Sequence, residues 1–400
     1  MREMQTAFRN CERPHPVTCI KNLMYRQIKT SPTIVTSLLL ACLSAVPVAV
    51  YAGDRLVLTR GPVVSLPVGT HRPEIRAVSD GTLVVAVVEP DHGRPHEGQV
   101  KHRVYRLDGA LKQKGKAFPI TRVARPYGEP ADHRIRLVDN EIVVVYQTLN
   151  YREGVRPKGG PGEDFATDQS LLLARFTLEG KEIFRRPIVD RAADFKADNF
   201  PDHCLMWWNG RLLVSSGARS RQLHIREVTL KAEVLSDHVI PTRRNGISGS
   251  IGNSMHPRQN GIGFFSSNSP GGNGALTLTA IDNGFRLSRL AELGGYDGVE
   301  RHFPTDGLML GEYTLVSYIA RPATGGMDMR SNPYHPRLMV LSSDLRIIED
   351  IQLGTDGFAH VHPTMAVIGN QLYVAWSKRS NRQAPQVQLE RMSISWASGG

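Results

Sequence analysis

One unit recurs six times along this chain: a His or His-Pro element, a short apolar stretch, a turn carrying Gly, Asn or Asp, and a β-branched run. The first three copies are His71-Arg72-Pro73 to Leu83-Val84-Val85-Ala86, His133-Arg134-Ile135-Arg136 to Ile142-Val143-Val144-Val145-Tyr146, and His203-Cys204-Leu205-Met206 to Leu212-Leu213-Val214. The others are His256-Pro257-Arg258 to Ile262-Gly263-Phe264-Phe265, His302-Phe303-Pro304 to Leu315-Val316-Ser317-Tyr318, and His362-Pro363-Thr364 to Leu372-Tyr373-Val374-Ala375-Trp376. Asp80-Gly81, Asp139-Asn140, Asn209-Gly210, Asn260-Gly261 and Gly369-Asn370 sit between the two runs of five copies, where a tight hairpin needs the positive φ that Gly, Asn and Asp tolerate. Each copy therefore predicts a β-hairpin.

A second strand pair follows each hairpin, clearest in Val104-Tyr105-Arg106-Leu107-Asp108-Gly109, in Leu173 to Gly180 and in Leu338 to Asp344, with weaker copies from about Leu223, Leu276 and Val387. Four antiparallel strands repeating every 46 to 70 residues describe the blades of a β-propeller. The sixth unit lacks a fourth strand, whereas Arg55-Leu56-Val57-Leu58 and Val63-Val64-Ser65-Leu66 precede the first hairpin without partners. An all-β, six-bladed propeller closed by the N-terminal strand completing the last blade is the expectation, since closure removes the open sheet edges. The alternative, two β-sandwich domains, does not require six copies of one unit.

Residues 1–52 are expected to form an N-terminal extension with an export signal, and residues 53–400 a single propeller domain. Arg26 and Lys29 precede an apolar run from Ile34 to Val50, and Val50-Tyr51-Ala52 suits cleavage after Ala52. Two further readings stand beside cleavage: Leu39-Leu40-Ala41-Cys42 resembles a lipobox that would leave Cys42 lipidated, and the run, though short and holding Pro47, can serve as an uncleaved anchor. Met24 is an alternative start. Every variant places the body in the periplasm or outside the cell. Only Cys204 of the four cysteines lies beyond residue 52, so no internal disulfide is expected there. Net charge is +11 for the chain and +7 for residues 53–400, which in an exported protein favours an anionic or decorated glycan as partner and excludes nucleic acid. Membrane contact is expected only through a lipid on Cys42.

The His elements open the innermost strand of each blade, on the same side as the connections between second and third strands. Two of those connections, Gln147 to Gln169 and Arg321 to Pro336, are long and rich in Gly and Pro, which marks that face for binding. Charged residues gather at the same points: Arg72 and Glu74; Asp132, His133, Arg134 and Arg136; Asp202 and His203; His256 and Arg258; Glu300, Arg301, His302 and Asp306; His360 and His362. Arginines suit bidentate contact with an anion, and a carboxyl can transfer protons. A competing structural role is that a His or Asp opening an inner strand bonds the backbone of the neighbouring blade. The His360-Val361-His362 pair points both rings the same way along a strand and suggests a divalent metal, with His302 or His203 as further ligands. No Gly-x-Ser-x-Gly elbow, His-Glu-x-x-His pair or phosphate-binding Gly-rich loop occurs.

The segments His71-Arg72-Pro73-Glu74-Ile75-Arg76, His133-Arg134-Ile135-Arg136 and His362-Pro363-Thr364-Met365-Ala366 to Trp376 resemble repeats of the sialidase-like (BNR-type) superfamily. That resemblance implies a six-bladed propeller in which three arginines hold a substrate carboxylate, an Asp acts as acid/base and a Glu activates a Tyr. By the same likeness Arg72 or Arg134 stands for the arginine of the early strands, Arg301 for a later one and Glu300 for the glutamate. The Asp-box spacing of Ser, Asp, Gly, Thr and Trp does not occur, nor does an Arg-Ile-Pro triplet.

The expectation is an exported propeller that binds and cleaves an anionic or decorated glycan, a sialidase-like glycoside hydrolase. Arg72, Arg134, Arg301, His133, His203 and His302 would contact substrate, and Asp132, Asp202 and Glu300 are the catalytic candidates. No cofactor is expected in that reading. One rival is a non-catalytic binding or scaffold propeller of the cell envelope. Another is a metal-dependent enzyme such as a polysaccharide lyase, using His203, His302, His360 and His362.

Overall fold

A computed structural model describes residues 55–89, 101–121, 129–151, 166–192, 203–216, 222–241, 253–258, 261–267, 275–295, 299–322, 334–354, 362–378 and 384–397. Every regular element among them is a β-strand. Arg55–Ala397 forms one compact unit of six antiparallel sheets. The inner strands are His71–Ala77, Glu129–Val138, Cys204–Trp208, Asn253–Arg258, Val299–Leu310 and Thr364–Ile368 for blades one to six. Each touches the next, and the last touches the first, so the ring is closed and the chain is a six-bladed β-propeller. In blade six the N-terminal strand Arg55–Thr59 lies outermost, paired along Gln386–Ala397 from Arg55 opposite Ala397 to Thr59 opposite Ser393. The Cys42 motif and the apolar run lie outside the described residues.

Hydrophobic strand pattern explains why the sheets stand face to face. The second strand of blade one, Leu83–Glu89, is buried at six consecutive positions, because both faces of the blade meet a neighbour. Leu83, Val85 and Val87 pack with Ala375 and Val387 of blade six, while Val84 and Ala86 pack with Ile135 and Val144 of blade two. One apolar cluster of this kind fills each of the six junctions. The hairpin turns carry the expected chemistry: Asp139 and Asn140 have φ of 50° and 60°, and Asn209 and Gly210 have 48° and 77°.

A second regularity lies in the outer turns. Asp108, Thr177, Thr229, Asp282 and Ser342 each accept, through the side chain, the backbone N–H four residues on. The residue three positions on has positive φ each time, at Leu111, Gly180, Ala232, Phe285 and Leu345. These side-chain-capped turns set the outer hairpin of five blades.

The inner strands place side chains in rings around the axis. Arg134, Cys204, Ser254, Asp306 and Thr364 each lie four residues before the end of their strand, and Glu74 lies four before Val78, which closes its hairpin onto Thr82. At three junctions this ring ties blades together. Thr364 Oγ1 accepts from Ile75 N at 3.1 Å, Glu74 Oε2 from Ile135 N at 2.6 Å, and Asp306 Oδ2 from Met365 N at 3.1 Å. A buried backbone N–H that no sheet ladder can reach is thereby satisfied.

Candidate functional site

The inner strands of blades one, two and five each carry a bulge near their start, between His71 and Glu74, Pro130 and His133, and His302 and Asp306. A bulge re-aims the side chains beside it. Arg72, with φ of 49°, and His362, with φ of 23°, also adopt the left-handed region at this end, a conformation that costs a non-Gly residue on the order of 1–2 kcal/mol and is concentrated at functional sites. Together they line a cavity with Pro73, Glu74, Asp132, Arg134, Thr305 and Thr364, enclosing about 250 Å³ of space open to solvent. All of these residues come from blades five, six, one and two.

Charges of both signs meet in it. Arg134 stands 3.4 Å from Glu74 and 3.6 Å from Asp132, and Arg72 lies 3.9 Å from Asp132. Beneath them Arg76 contacts Asp306 at 2.7 Å and Glu74 at 3.6 Å, and Arg136 lies 3.9 Å from Glu74. The carboxylates are nearly inaccessible, whereas the Arg72 side chain is 36% exposed. Burial alone would raise the Asp132 pKa, but Arg134 and then Arg72 outweigh it and hold the carboxyl well below the usual carboxylate range. Asp132 is thus an anion at neutral pH and supplies no proton. Burial, followed by the charge of Arg76, brings Arg136 down to about 10.

The expected site residues separate on this geometry. Arg72, Asp132 and Arg134 share the cavity, and His362 lines it. Arg301 is turned elsewhere: it donates to the Gly294 carbonyl and pairs at 3.2 Å with Asp350, which also takes Arg337 at 2.8 Å and the Tyr318 hydroxyl at 2.6 Å. Glu300 precedes Arg301 in the same strand and is not on the cavity wall. His203 donates from Nε2 to the Val145 carbonyl of blade two at 3.1 Å, the cross-blade bond that competed with a binding role for these histidines. His133 is buried with its ring 4.6 Å from that of His102, and neither ring nitrogen of either has a hydrogen-bond partner among the described residues. Burial drives His133 down to about 3, so it is neutral.

Asp202 and His360 lie outside the described residues, as does the side chain of His302. Among the described residues no three His, Cys, Asp or Glu side chains gather as a metal site. The connections expected from Gln147 and before Pro336 begin and end in strand. Gln147 pairs with Leu171 in the ladder, and its side chain donates to Gln169 at 2.8 Å.

No protein-family model matches the sequence, and no curated protein does. Among solved structures, a protein of unknown function from Dyadobacter fermentans is 13% identical, with 84% of this chain and 99% of that one covered at a TM-score of 0.51. The likeness is one of fold. A sialidase from Trypanosoma rangeli is 9% identical over 84% of this chain and 59% of its own length, with a TM-score of 0.49. A thermostable glycoside hydrolase of family 43 is 9% identical over 86% and 97%, at 0.43. The six-bladed architecture expected from the sequence stands on the six closed sheets themselves.

Proposed function

We propose that this chain is an exported propeller that holds one anionic substituent of a glycan, a carboxylate or sulfate, in the cavity lined by blades five, six, one and two. The observation that carries the reading is the convergence of Arg72 and Arg134, from adjacent blades, on one solvent-open cavity. The cavity is shallow and open to solvent, which suits a single substituent with the rest of the glycan lying across the mouth. Export is supported by the apolar run before Val50, and the glycan class by the basic residues 53–400.

Binding is the part the cavity supports best, because Asp132 is held ionised there and cannot act as a general acid at neutral pH. Cleavage is the finer reading. Titrating the purified chain with uronic-acid and sulfated glycans, and analysing products for new reducing ends or unsaturated sugars, separates the two. Arg72→Ala and Arg134→Ala are each expected to weaken binding about tenfold or more at unchanged stability for the former. Equal affinity in wild type and Arg72→Ala would remove this cavity as the site.

A further inference from the structure

Arg76 does not line the cavity, yet it touches the structures that hold the cavity wall. Its Nη1 donates to Asp306 Oδ2 of blade five at 2.7 Å, to Ile75 O at 2.6 Å and to Met365 O of blade six at 3.4 Å. Its Nε donates to Ile135 O of blade two at 3.2 Å. One buried guanidinium thus spans blades five, six, one and two, the four that supply the cavity, through the planar fork that only arginine offers.

Glu74 links this brace to the cavity. Its Oε2 lies 3.6 Å from Arg76 and accepts from Ile135 N at 2.6 Å, and its Oε1 lies 3.4 Å from Arg134. Arg136 lies 3.9 Å from the same carboxylate, and a charge divided among three guanidiniums neutralises each only in part. Without Arg76, Glu74 is left to Arg134 at 3.4 Å and the more distant Arg136 at 3.9 Å, so a larger share of its charge falls to Arg134, the pair tightens, and Arg134 is withdrawn from any anion in the cavity.

We infer that Arg76 is the positioning residue of the anion site: it draws on Glu74 from behind and so keeps Arg134 open to ligand in front. This rests on the binding role proposed for the cavity. The test uses the purified chain titrated with glucuronic acid and with inorganic sulfate in a calorimeter. Arg76→Met is combined with Asp306→Asn, which removes the charge left without a partner while its amide oxygen still accepts from Met365 N. Affinity for both probes is expected to fall about tenfold, and adding Glu74→Gln to bring it back to within about threefold of wild type, because a neutral amide no longer quenches Arg134. A purely structural role for Arg76 predicts no such rescue. Wild-type affinity in the double variant, or a triple variant as weak as the double, overturns the inference. Wild-type affinity in Arg72→Ala instead overturns the cavity reading, so the two failures are distinguishable. Should the double variant not fold, Arg76→Lys keeps a charge beside Asp306 but cannot span Glu74 and Ile135 O together; unchanged affinity there also overturns the inference.

Discussion

Two arcs of the same ring solve the problem of joining blades in opposite ways. From blade five through six and one to two, ring positions are Asp306, Thr364, Glu74 and Arg134, and the first three bond backbone N–H groups of the next blade. Around blades three and four the equivalent positions are Cys204 and Ser254, and the Ser254 hydroxyl, although buried, has no partner among the described residues. At the junction of blades four and five the gap is filled by a side chain instead. His256 stacks on Phe265 with ring centroids 5.1 Å apart and lies against Gly263, where a Cβ would collide with it, and Gly307, where one would be tight. The charged arc is the one that carries the cavity. Polar staples fix geometry by direction, whereas shape packing fixes it by volume, and a site that must hold two arginines in place sits where direction is available.

The sharpest contrast is between Asp306 and Ser254. Asp306→Ala leaves Arg76 buried without its closest carboxylate and Met365 N without an acceptor, and is expected to cost about 3–5 kcal/mol by urea denaturation. Ser254→Ala, at the equivalent position, is expected to stay within about 0.5 kcal/mol, since its hydroxyl makes no bond to any described residue. A comparable cost at both positions would erase the distinction between the arcs.

Overpacking tests the other arc at His256. A Cβ on Gly263 would lie 2.2 Å from the His256 ring, and one on Gly307 3.1 Å from its Nδ1. Gly263→Ala is expected to cost about 1–3 kcal/mol and Gly307→Ala less, with both costs largely abolished in a His256→Ala background. Persistence of the Gly263→Ala cost in that background would show that His256 is not what the glycine accommodates.

Acid acts on both arcs at once. Burial lowers His133 in the charged arc and His256 in the packed one to about 3, against 6.5 for an unfolded histidine. Between those values the unfolded chain binds a proton that the folded chain refuses, so each histidine makes stability fall with falling pH, by up to about 1.4 kcal/mol per unit below roughly pH 6.5. Asp132 adds to the loss at the acid end, because its folded pKa is depressed and its contribution disappears as pH falls below the ordinary Asp range. Urea midpoints from pH 7.5 to 4 in wild type and His256→Leu check this, the variant being expected to show the shallower slope. Parallel slopes would mean His256 does not titrate on unfolding.

The repeat was legible because hairpin chemistry is local: Asp139-Asn140 and Asn209-Gly210 announce positive φ in adjacent letters, and the φ values bear them out. The outer turns are as regular, but Asp, Thr and Ser interchange as their caps and Leu111, Phe285 and Leu345 stand at their left-handed position, so no shared letter marks them. In the cavity, Arg72, Asp132 and Arg134 were visible as charges opening inner strands. The partnership of Arg76 with Asp306 was not, because 230 residues separate two groups that only ring closure brings together. Counting back from each hairpin would have aligned Glu74, Arg134, Asp306 and Thr364 in one ring, with Arg76 and Arg136 one step below. Arg301 shows the limit of adjacency: a charge beside an inner strand's start is free to turn outward, and here Asp350 and the Gly294 carbonyl take it.

Left-handed residues give the finest comparison. Asn209, with φ of 48°, sits in a hairpin turn of blade three, and Asn tolerates that region; Arg72, with φ of 49°, sits at the cavity mouth of blade one, and Arg does not. Its strain persists because its N–H is fixed by Ser377 Oγ at 2.9 Å, and the side chain then points where Asp132 and an anion meet it. Arg72→Gly keeps that N–H, relieves the left-handed penalty and loses a long 3.9 Å ion pair whose buried Asp132 keeps Arg134, so it is expected to raise stability by about 0.5–1 kcal/mol, while Asn209→Gly changes it by a few tenths at most. The same Arg72→Gly chain should bind glucuronic acid no better than Arg72→Ala. A stability gain coupled to a binding loss identifies the strain as serving the site; a variant that is less stable than wild type, or that still binds, would make Arg72 an ordinary turn residue.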